Sequence, residues 1–285
     1  MNLNFSDEQQ MLRELIQKFC ESDYTFEKRE EIIKSGEGFN RDFWQQFSEL
    51  GWLSLPFKED SGGLGYGPVE LSILFEEFGK VLVVEPYLST VVLSGTILDN
   101  SSFGRRIELI DGIITGKKHL SLAYIEPDQN SDHSTPQAIA SHQGDDILVN
   151  GKKSLVLNGG SANHFIVVVT LDNETTLVLI DNDQAGVSLN QYPTVDGQTC
   201  AELEFENVSI TNEAIIAQGN EAKRLLNEAL NLATLCVSAE SIGCMTACYL
   251  QTVEYTKGRQ QFGQPISNFQ VLQHRMVDMF IETEM

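Results

Sequence analysis

An arginine and a glutamine flank a predicted helix break near the C-terminal end of the chain. A long helical pattern ends where Gly263 and Pro265 interrupt it, and a second helix is predicted to begin shortly afterwards. The guanidinium of Arg259 matches phosphate oxygens in shape and charge, the Gln270 amide offers donors and acceptors, and helix ends attract anions. The corner could hold the pyrophosphate of a dinucleotide, although spacing alone favours a helix hairpin with a solvated arginine.

The residues of this corner also carry a family resemblance. The stretch Arg259–Ile266, followed after two intervening residues by Phe269-Gln270, resembles the flavin-binding segment of the acyl-CoA dehydrogenase family. In that family the arginine and the later glutamine reach the FAD of a neighbouring subunit. The resemblance therefore implies that FAD is the cofactor and that four residues of this corner bind it: Arg259, Gln261, Phe262 and Gln270.

An earlier stretch, residues 122–132, resembles the first flavin loop of the family. That loop usually reads Thr-Glu-Pro and then Gly-Ser-Asp, but here Ile125 replaces the threonine and Asn130 replaces the glycine. Backbone contacts to the flavin are still implied, whereas a hydroxyl contact from position 125 is not. Ser131 matches a residue that can meet the CoA ester. The implied cofactor contacts are Leu122, Ala123, Tyr124, Ile125 and Ser131; the alternative is a proline-containing strand exit with a polar turn.

Residues 150–159 resemble the second flavin segment. The family usually has tryptophan where Leu155 stands and a hydroxyl residue where Leu157 stands. The resemblance implies that Leu155, Val156 and Leu157 line the isoalloxazine ring. Leu157 cannot supply the hydroxyl that usually partners the reactive flavin nitrogen. Two nearby lysines, Lys153 and Lys257, could bind phosphate, but surface solvation is the preferred interpretation for both.

A catalytic base cannot be assigned from the sequence. Most family members place a glutamate beyond the position at which this chain ends, and a minority place it on the helix that contains Ala233. Neither Ala233 nor Thr234 has a carboxylate. Glu240 lies about two helical turns further on and projects from a similar face. A cap, a solvated side chain or a structural salt bridge explains Glu240 better than a catalytic role.

Composition limits the function classes. The net charge of −22 argues against binding to nucleic acids and to anionic membrane surfaces. The N-terminus lacks the features of a secretion signal, and no uninterrupted apolar run is long enough to cross a membrane. Five cysteines without metal-ligand spacing are expected to be packed thiols in a reducing compartment, so a cytoplasmic location is expected.

The periodicity of apolar residues predicts an α+β chain with three domains. Residues 1–118 are predicted to be helical, residues 119–212 to form an antiparallel β-barrel or sandwich, and residues 213–285 to form a partial helical bundle. This order matches the family plan, with the C-terminal part expected to be truncated.

Local signals refine this prediction. Ser6 with Gln9 predicts a capping box, Asn40 a helix cap, Pro68 the first residue of a helix and Gly79 the end of that helix. Asn150-Gly151 predicts a β-hairpin turn. Gly243 and nearby small residues indicate a close approach between helices.

The resemblance implies an FAD-dependent acyl-CoA dehydrogenase that acts as one subunit of a homo- or hetero-oligomer. Its substrate would be an acyl-CoA thioester, and an electron-transfer flavoprotein or a similar acceptor would reoxidise the flavin. One alternative is a non-catalytic scaffold subunit of a heteromeric dehydrogenase. The other is a flavin monooxygenase on the same fold.

Overall fold

The computed structural model describes residues 4–127, 135–144 and 146–285, and it is an α+β structure as predicted. The helices are α1 (Asp7–Ser22), α2 (Phe26–Ser35), α3 (Arg41–Glu49), α4 (Pro68–Val81), a π-helical segment (Leu88–Gly95) continued by α5 (Thr96–Asp99), α6 (Arg106–Ile114), α7 (Gly219–Gly258) and α8 (Gln270–Glu284). The strands are β1 (Leu120–Ala123), β2 (Ile139–Gln143), β3 (Asp146–Leu157), β4 (His164–Leu171), β5 (Glu174–Asp181), β6 (Val187–Pro193), β7 (Thr199–Ile210), β8 (Ile215–Gln218), β9 (Gln260–Gln261) and β10 (Gln264–Pro265).

The predicted helix starts are confirmed because they depend on local hydrogen bonds. The Gln9 amide N–H donates to Ser6 Oγ at 3.2 Å, and the Ser6 amide donates to the Gln9 side chain at 2.9 Å. Asn40 Oδ1 accepts the amide hydrogens of Asp42 and Phe43 at 2.8 and 3.0 Å. These bonds satisfy amide groups that a helix leaves without an internal partner.

The predicted end of α4 at Gly79 is wrong, since α4 continues to Val81. Gly79 is required for packing instead. A Cβ atom at Gly79 would lie 2.0 Å from the backbone oxygen of Glu240, and one at Gly243 would lie 2.0 Å from the backbone oxygen of Glu76. The absence of side chains at both positions allows α4 and α7 to approach closely, which confirms the close approach predicted from Gly243.

An eight-stranded sheet follows the N-terminal helices. Its strands are ordered β6-β7-β3-β2-β4-β5-β8, with β1 paired to β4. Most pairs are antiparallel, as predicted, but two are parallel: β1 with β4, where Leu120 lies opposite His164, and β2 with β4, where Ile139 lies opposite Thr170. The buried side chains of β2 to β5 and β7 form an apolar core in which Phe165, Val167 and Ile180 are completely buried.

The predicted hairpin at Asn150-Gly151 is wrong because both residues lie inside the single long strand β3. The register against β7 shifts between Val149 and Gly151, which is the mark of a β-bulge. Asn150 Oδ1 accepts the amide hydrogen of Asn207 at 2.8 Å. A Cβ atom at Gly151 would lie 2.7 Å from the Cα of Ala138, so the glycine permits a close backbone approach rather than a turn.

The C-terminal part consists of α7, a short hairpin, and α8. By length and composition alone, one stretch of α7 is apolar enough to cross a membrane, which is weak evidence because core helices of soluble proteins pass the same test.

By contacts, the chain divides into two compact units, one of Met1–Arg29, Val69–Val83 and Leu235–Met285 and one of Glu30–Pro68 and Val84–Thr234. The three-domain boundaries at residues 118 and 212 stay a prediction.

Three buried rings pack together near the start of the sheet. The ring of His119 lies 4.7 Å from the ring of Phe39 and 4.9 Å from that of Trp44, measured between centroids. Burial of the imidazole lowers the pKa of His119 to about 4, and the positive charge of Arg41 adds to the effect. His119 is therefore neutral in the folded chain at neutral pH.

We expect this histidine to make the chain less stable in mild acid. Between pH 6.5 and pH 4 the unfolded chain binds a proton at His119 that the folded chain excludes, so stability falls as the pH drops through this window. The loss should reach roughly 2–3 kcal/mol near pH 4. Urea titrations of the wild type and of His119→Gln at pH 7, 6, 5 and 4 measure it. Equal pH dependence in both proteins would contradict the assignment.

Candidate functional site

The structure brings the two sequence segments with flavin resemblance side by side. The backbone amide of Ser154 donates to the backbone oxygen of Ile125 at 2.9 Å. The hydroxyl of Ser121 donates to the backbone oxygen of Leu157 at 2.8 Å. Residues 121–125 and 154–157 are therefore neighbours, although about thirty residues separate them along the chain.

The side chains of these segments differ in exposure. Leu122, Ala123 and Val156 are buried in the core, with exposed fractions of 3, 0 and 1 %, so only their backbone groups could contact a ligand. Tyr124, Ile125 and Leu157 are partly buried, and Leu155 is half-exposed. The accessible side chains here are therefore mainly apolar, with the hydroxyls of Tyr124 and Ser154 as polar groups.

Leu155 occupies an unusual backbone conformation. Its φ angle is +50°, and the pairing of β3 with β7 shifts register between Lys153 and Val156. Residues other than glycine rarely adopt this left-handed conformation, and it costs roughly 1 kcal/mol or more. The bulge turns Leu155 out of the regular alternation and leaves 49 % of the side chain exposed.

A buried ion pair lies directly beside both segments. Lys153 Nζ donates to Glu126 Oε1 at 2.5 Å, and both side chains are at most 1 % exposed. The same carboxylate accepts the backbone amides of Gln137 at 2.7 Å and Ala138 at 2.8 Å. Burial lowers the pKa of Lys153, while the bond to Glu126 and its charge oppose that change. Glu126 therefore connects the end of the first segment to β3, through Lys153, and to the residues just before β2, through Gln137 and Ala138.

The interpretation of Lys153 as a solvated or phosphate-binding surface lysine is wrong, because the side chain is buried against Glu126. Alternation in β3 offered a signal for this result. Lys152 and Lys153 are consecutive in a strand, so their side chains must point to opposite faces. Lys152 is exposed and pairs with Glu204 at 2.7 Å, which leaves Lys153 on the buried face.

Ser131 lies outside the described residues, as do Asn130 and Asp132. Its role as a substrate contact stays a prediction. On the C-terminal side of this segment, Thr170 Oγ1 donates to the backbone oxygen of Pro136 at 2.7 Å.

The predicted corner near residue 263 is a tight hairpin. β9 and β10 pair through Gln261 and Gln264, and the two residues between them, Phe262 and Gly263, have φ angles of +54° and +79°. The Ile266 amide donates to the Arg259 backbone oxygen at 2.8 Å and closes the hairpin onto the end of α7.

The side chains of this corner are presented to solvent. Arg259, Gln261 and Gln270 are exposed, and the Phe262 ring is 91 % exposed with its edge towards Phe269. Within the described parts of the chain, the Arg259 guanidinium has no ion pair. Lys257 pairs with Glu254 at 2.6 Å and is exposed, in agreement with its interpretation as a surface residue.

The positions considered for a catalytic base contain no suitable carboxylate. Ala233 is buried, and the Thr234 hydroxyl donates to the backbone oxygen of Leu230 at 2.8 Å. Glu240 is partly buried. Burial of the Cys236 thiol raises its pKa to about 12, and the negative charge of Glu240 adds to this effect. A catalytic residue therefore stays unassigned.

The FAD implied by the resemblance can be tested against this surface. Ile125, Leu155 and Leu157 have apolar side chains that are not fully buried, which suits a flat aromatic ring, and hydrogen bonds join the backbone of the two segments. The residues present thus fit the ring system. They lack the hydroxyls at positions 125 and 157 that would tune it.

Comparison with known proteins matches most of the chain to one family. The models for the N-terminal, middle and C-terminal domains of acyl-CoA dehydrogenase match residues 6–116, 121–208 and 223–285. The chain is 28 % identical to the caffeyl-CoA reductase-Etf complex subunit CarC of Acetobacterium woodii, with 98 % of this chain and 76 % of the relative covered. It is 26 % identical to the probable acyl-CoA dehydrogenase YngJ of Bacillus subtilis, with 100 % and 78 % covered.

Solved structures agree with these matches in fold. A chain of the electron transferring flavoprotein structure from Acidaminococcus fermentans superposes with a TM-score of 0.91 at 25 % identity, covering 100 % of this chain and 77 % of that one. Butyryl-CoA dehydrogenase from Megasphaera elsdenii superposes with a TM-score of 0.90 at 24 % identity, covering 100 % and 78 %. The chain therefore belongs to the acyl-CoA dehydrogenase family, whose members are enzymes with FAD as cofactor.

Proposed function

We propose that the chain is an FAD-dependent acyl-CoA dehydrogenase subunit that introduces an α,β double bond into an acyl-CoA thioester. In this reaction a base takes the α-proton, and bound FAD accepts the hydride that leaves the β-carbon. The observation that carries the proposal is the pair of hydrogen bonds that joins residues 121–125 to residues 154–157. The two segments that resemble flavin-binding parts of the family are therefore neighbours in the fold.

In this proposal, the side chains at this surface contact FAD. Ile125, Leu155 and Leu157 would cover the isoalloxazine ring and exclude water from it, while Tyr124 borders the same surface. Backbone groups of Leu122, Ala123 and Val156 would fix its position. Arg259, Gln261, Phe262 and Gln270 would contact the FAD of a neighbouring subunit, which suits their exposure in the single chain.

Ser131 would contact the CoA ester. Because Ala233 carries no carboxylate, we propose that the base belongs to another part of the assembled enzyme.

Names of relatives support the proposed partners. CarC is a subunit of a caffeyl-CoA reductase-Etf complex, and a structure of the ChsE4-ChsE5 complex from Mycobacterium tuberculosis has a TM-score of 0.90 with this chain. We propose an electron-transfer flavoprotein or a similar acceptor and a homo- or hetero-oligomeric assembly. Residues 82–88, 192–197 and 269–275 resemble the small subunit of pimeloyl-CoA dehydrogenase, and on that resemblance we propose a dicarboxylyl or medium-chain acyl group. The five free cysteines support a cytoplasmic location.

Flavin content and substrate bleaching test the proposal. The chain would be purified alone and after co-expression with the products of its neighbouring genes. We expect a flavin absorption band, and we expect it to bleach under anaerobic conditions when a medium-chain or dicarboxylyl-CoA is added. Replacement of Leu155 by aspartate should reduce the flavin content, because a carboxylate would face the apolar ring. Leu189→Asp, on the exposed strand β6, is the matched control.

A second function is favoured by the leucine at position 157 and the isoleucine at position 125. Without the two hydroxyls the chain could act as a scaffold subunit that holds FAD weakly or not at all. A folded chain that stays colourless alone and in the assembled complex would support the scaffold and contradict the dehydrogenase proposal. Oxygen-dependent hydroxylation by a coloured chain would instead support a flavin monooxygenase.

A further inference from the structure

A polar cavity lies among residues that have no part in the proposed flavin surface. It has a volume of about 630 Å³, within the range of small-molecule sites. One wall consists of the three packed rings of Phe39, Trp44 and His119, and the rim carries Arg41 and Lys117. All of these residues belong to the same compact unit of the chain.

Two side chains of the aromatic wall have polar atoms without partners. Trp44 is 2 % exposed and His119 is 8 % exposed, yet Trp44 Nε1 and His119 Nδ1 make no hydrogen bond to any described residue. Buried nitrogens are almost always paired, and leaving one unpaired costs free energy. Since both side chains line the cavity, a molecule within it can supply partners that the chain does not.

The charge of the rim indicates what kind of molecule the cavity could bind. The chain has 41 acidic and 19 basic residues, so a surface with more cations than carboxylates departs from the overall charge of the chain. Lys117 has no ion pair among the described residues, and Arg41 is only loosely paired with Glu37, at 3.8 Å, with both side chains largely exposed. Two cations and one carboxylate leave the rim locally positive within a strongly acidic chain. Burial is the main cause of the low pKa of His119, and the positive charge of Arg41 near the wall adds to it.

We propose that this cavity binds a small organic anion. Carboxylate or phosphate oxygens of the ligand lie against Lys117 and Arg41, and its apolar or planar part lies on the ring of Phe39. The indole N–H of Trp44 and the neutral imidazole of His119 then gain hydrogen-bond partners at the inner end. This inference does not depend on FAD or on the proposed dehydrogenase reaction.

Tryptophan fluorescence tests the proposal on the full chain, because Trp44 is one of only two tryptophans in the sequence. Succinate, adenosine monophosphate and inorganic phosphate are titrated separately at constant ionic strength. We expect saturable quenching by at least one of the first two, and the same signal in Trp52→Phe. Which of the two binds distinguishes a carboxylate ligand from a phosphate ligand.

Neighbouring lysines provide a matched pair of variants. Lys117→Gln should weaken binding about tenfold, the effect of losing one charge-assisted hydrogen bond. Lys118→Gln removes the same charge, but Lys118 pairs with Glu108 at 2.6 Å and does not line the cavity, so binding should be unchanged. Absence of saturable binding, or equal weakening by both variants, would overturn the proposal. Trp44→Phe, followed by calorimetry and checked by circular dichroism, should also weaken binding.

Discussion

Replacement of Lys153 by methionine is expected to lower the free energy of unfolding by about 3–5 kcal/mol. Methionine fills a similar volume but leaves the Glu126 carboxylate without its cation in a site that is 1 % exposed. The two backbone amides that also bind this carboxylate compensate for only part of the lost charge. Urea denaturation followed by circular dichroism measures the change.

The adjacent lysine is the natural control. Lys152→Met removes an exposed pair with Glu204, whose side chains are 61 % and 41 % exposed, and it should change stability by less than about 1 kcal/mol. The double variant Glu126→Gln/Lys153→Met should recover part of the loss, because no uncompensated charge stays buried. If Lys153→Met proved no more harmful than Lys152→Met, the buried ion pair would not have the stabilising role argued above.

Replacement of Gly243 by alanine should cost at least about 3 kcal/mol, although alanine is the better helix former by about 1 kcal/mol. The new methyl group would lie 2.0 Å from the Glu76 backbone oxygen and 3.1 Å from the Gly79 Cα, so α4 and α7 would have to separate. Backbone atoms cannot move aside as a flexible side chain can. The shift of the thermal or urea transition reports the cost.

Gly258→Ala in the same helix is the matched control, since nothing lies within 4 Å of its added Cβ. This variant should be neutral or slightly stabilising. Similar stability of Gly243→Ala and Gly258→Ala would mean that the two helices are not held at the short distance seen in the structure.

Local signals predicted local structure well. The Ser6–Gln9 capping box, the Asn40 cap and the Pro68 helix start depend on residues within four positions of each other, and all are present. The two wrong assignments, a stop at Gly79 and a turn at Gly151, concern glycines whose role is set by distant backbone. A glycine that permits close packing and a glycine that permits a turn look the same in one sequence.

The candidate site was predicted only as far as the family resemblance reaches. That resemblance named both flavin segments, and the fold places them together, but it assigned no structural role to Glu126 and placed Lys153 at the surface. The partnership of these two residues depends on how β3 twists against the end of β1, which periodicity cannot supply. The alternation of Lys152 and Lys153 was the one available sign.

Leu155 has a consequence for the chain as a molecule in solution. Asparagine or glycine would adopt the left-handed backbone conformation of this position at a lower cost. Either residue would also expose less apolar surface to water than Leu155, which is 49 % exposed. Leucine at this position therefore leaves the chain with a strained backbone and an exposed apolar side chain. In the complex proposed above, the flavin ring would cover Leu155 and remove its exposed apolar surface from water.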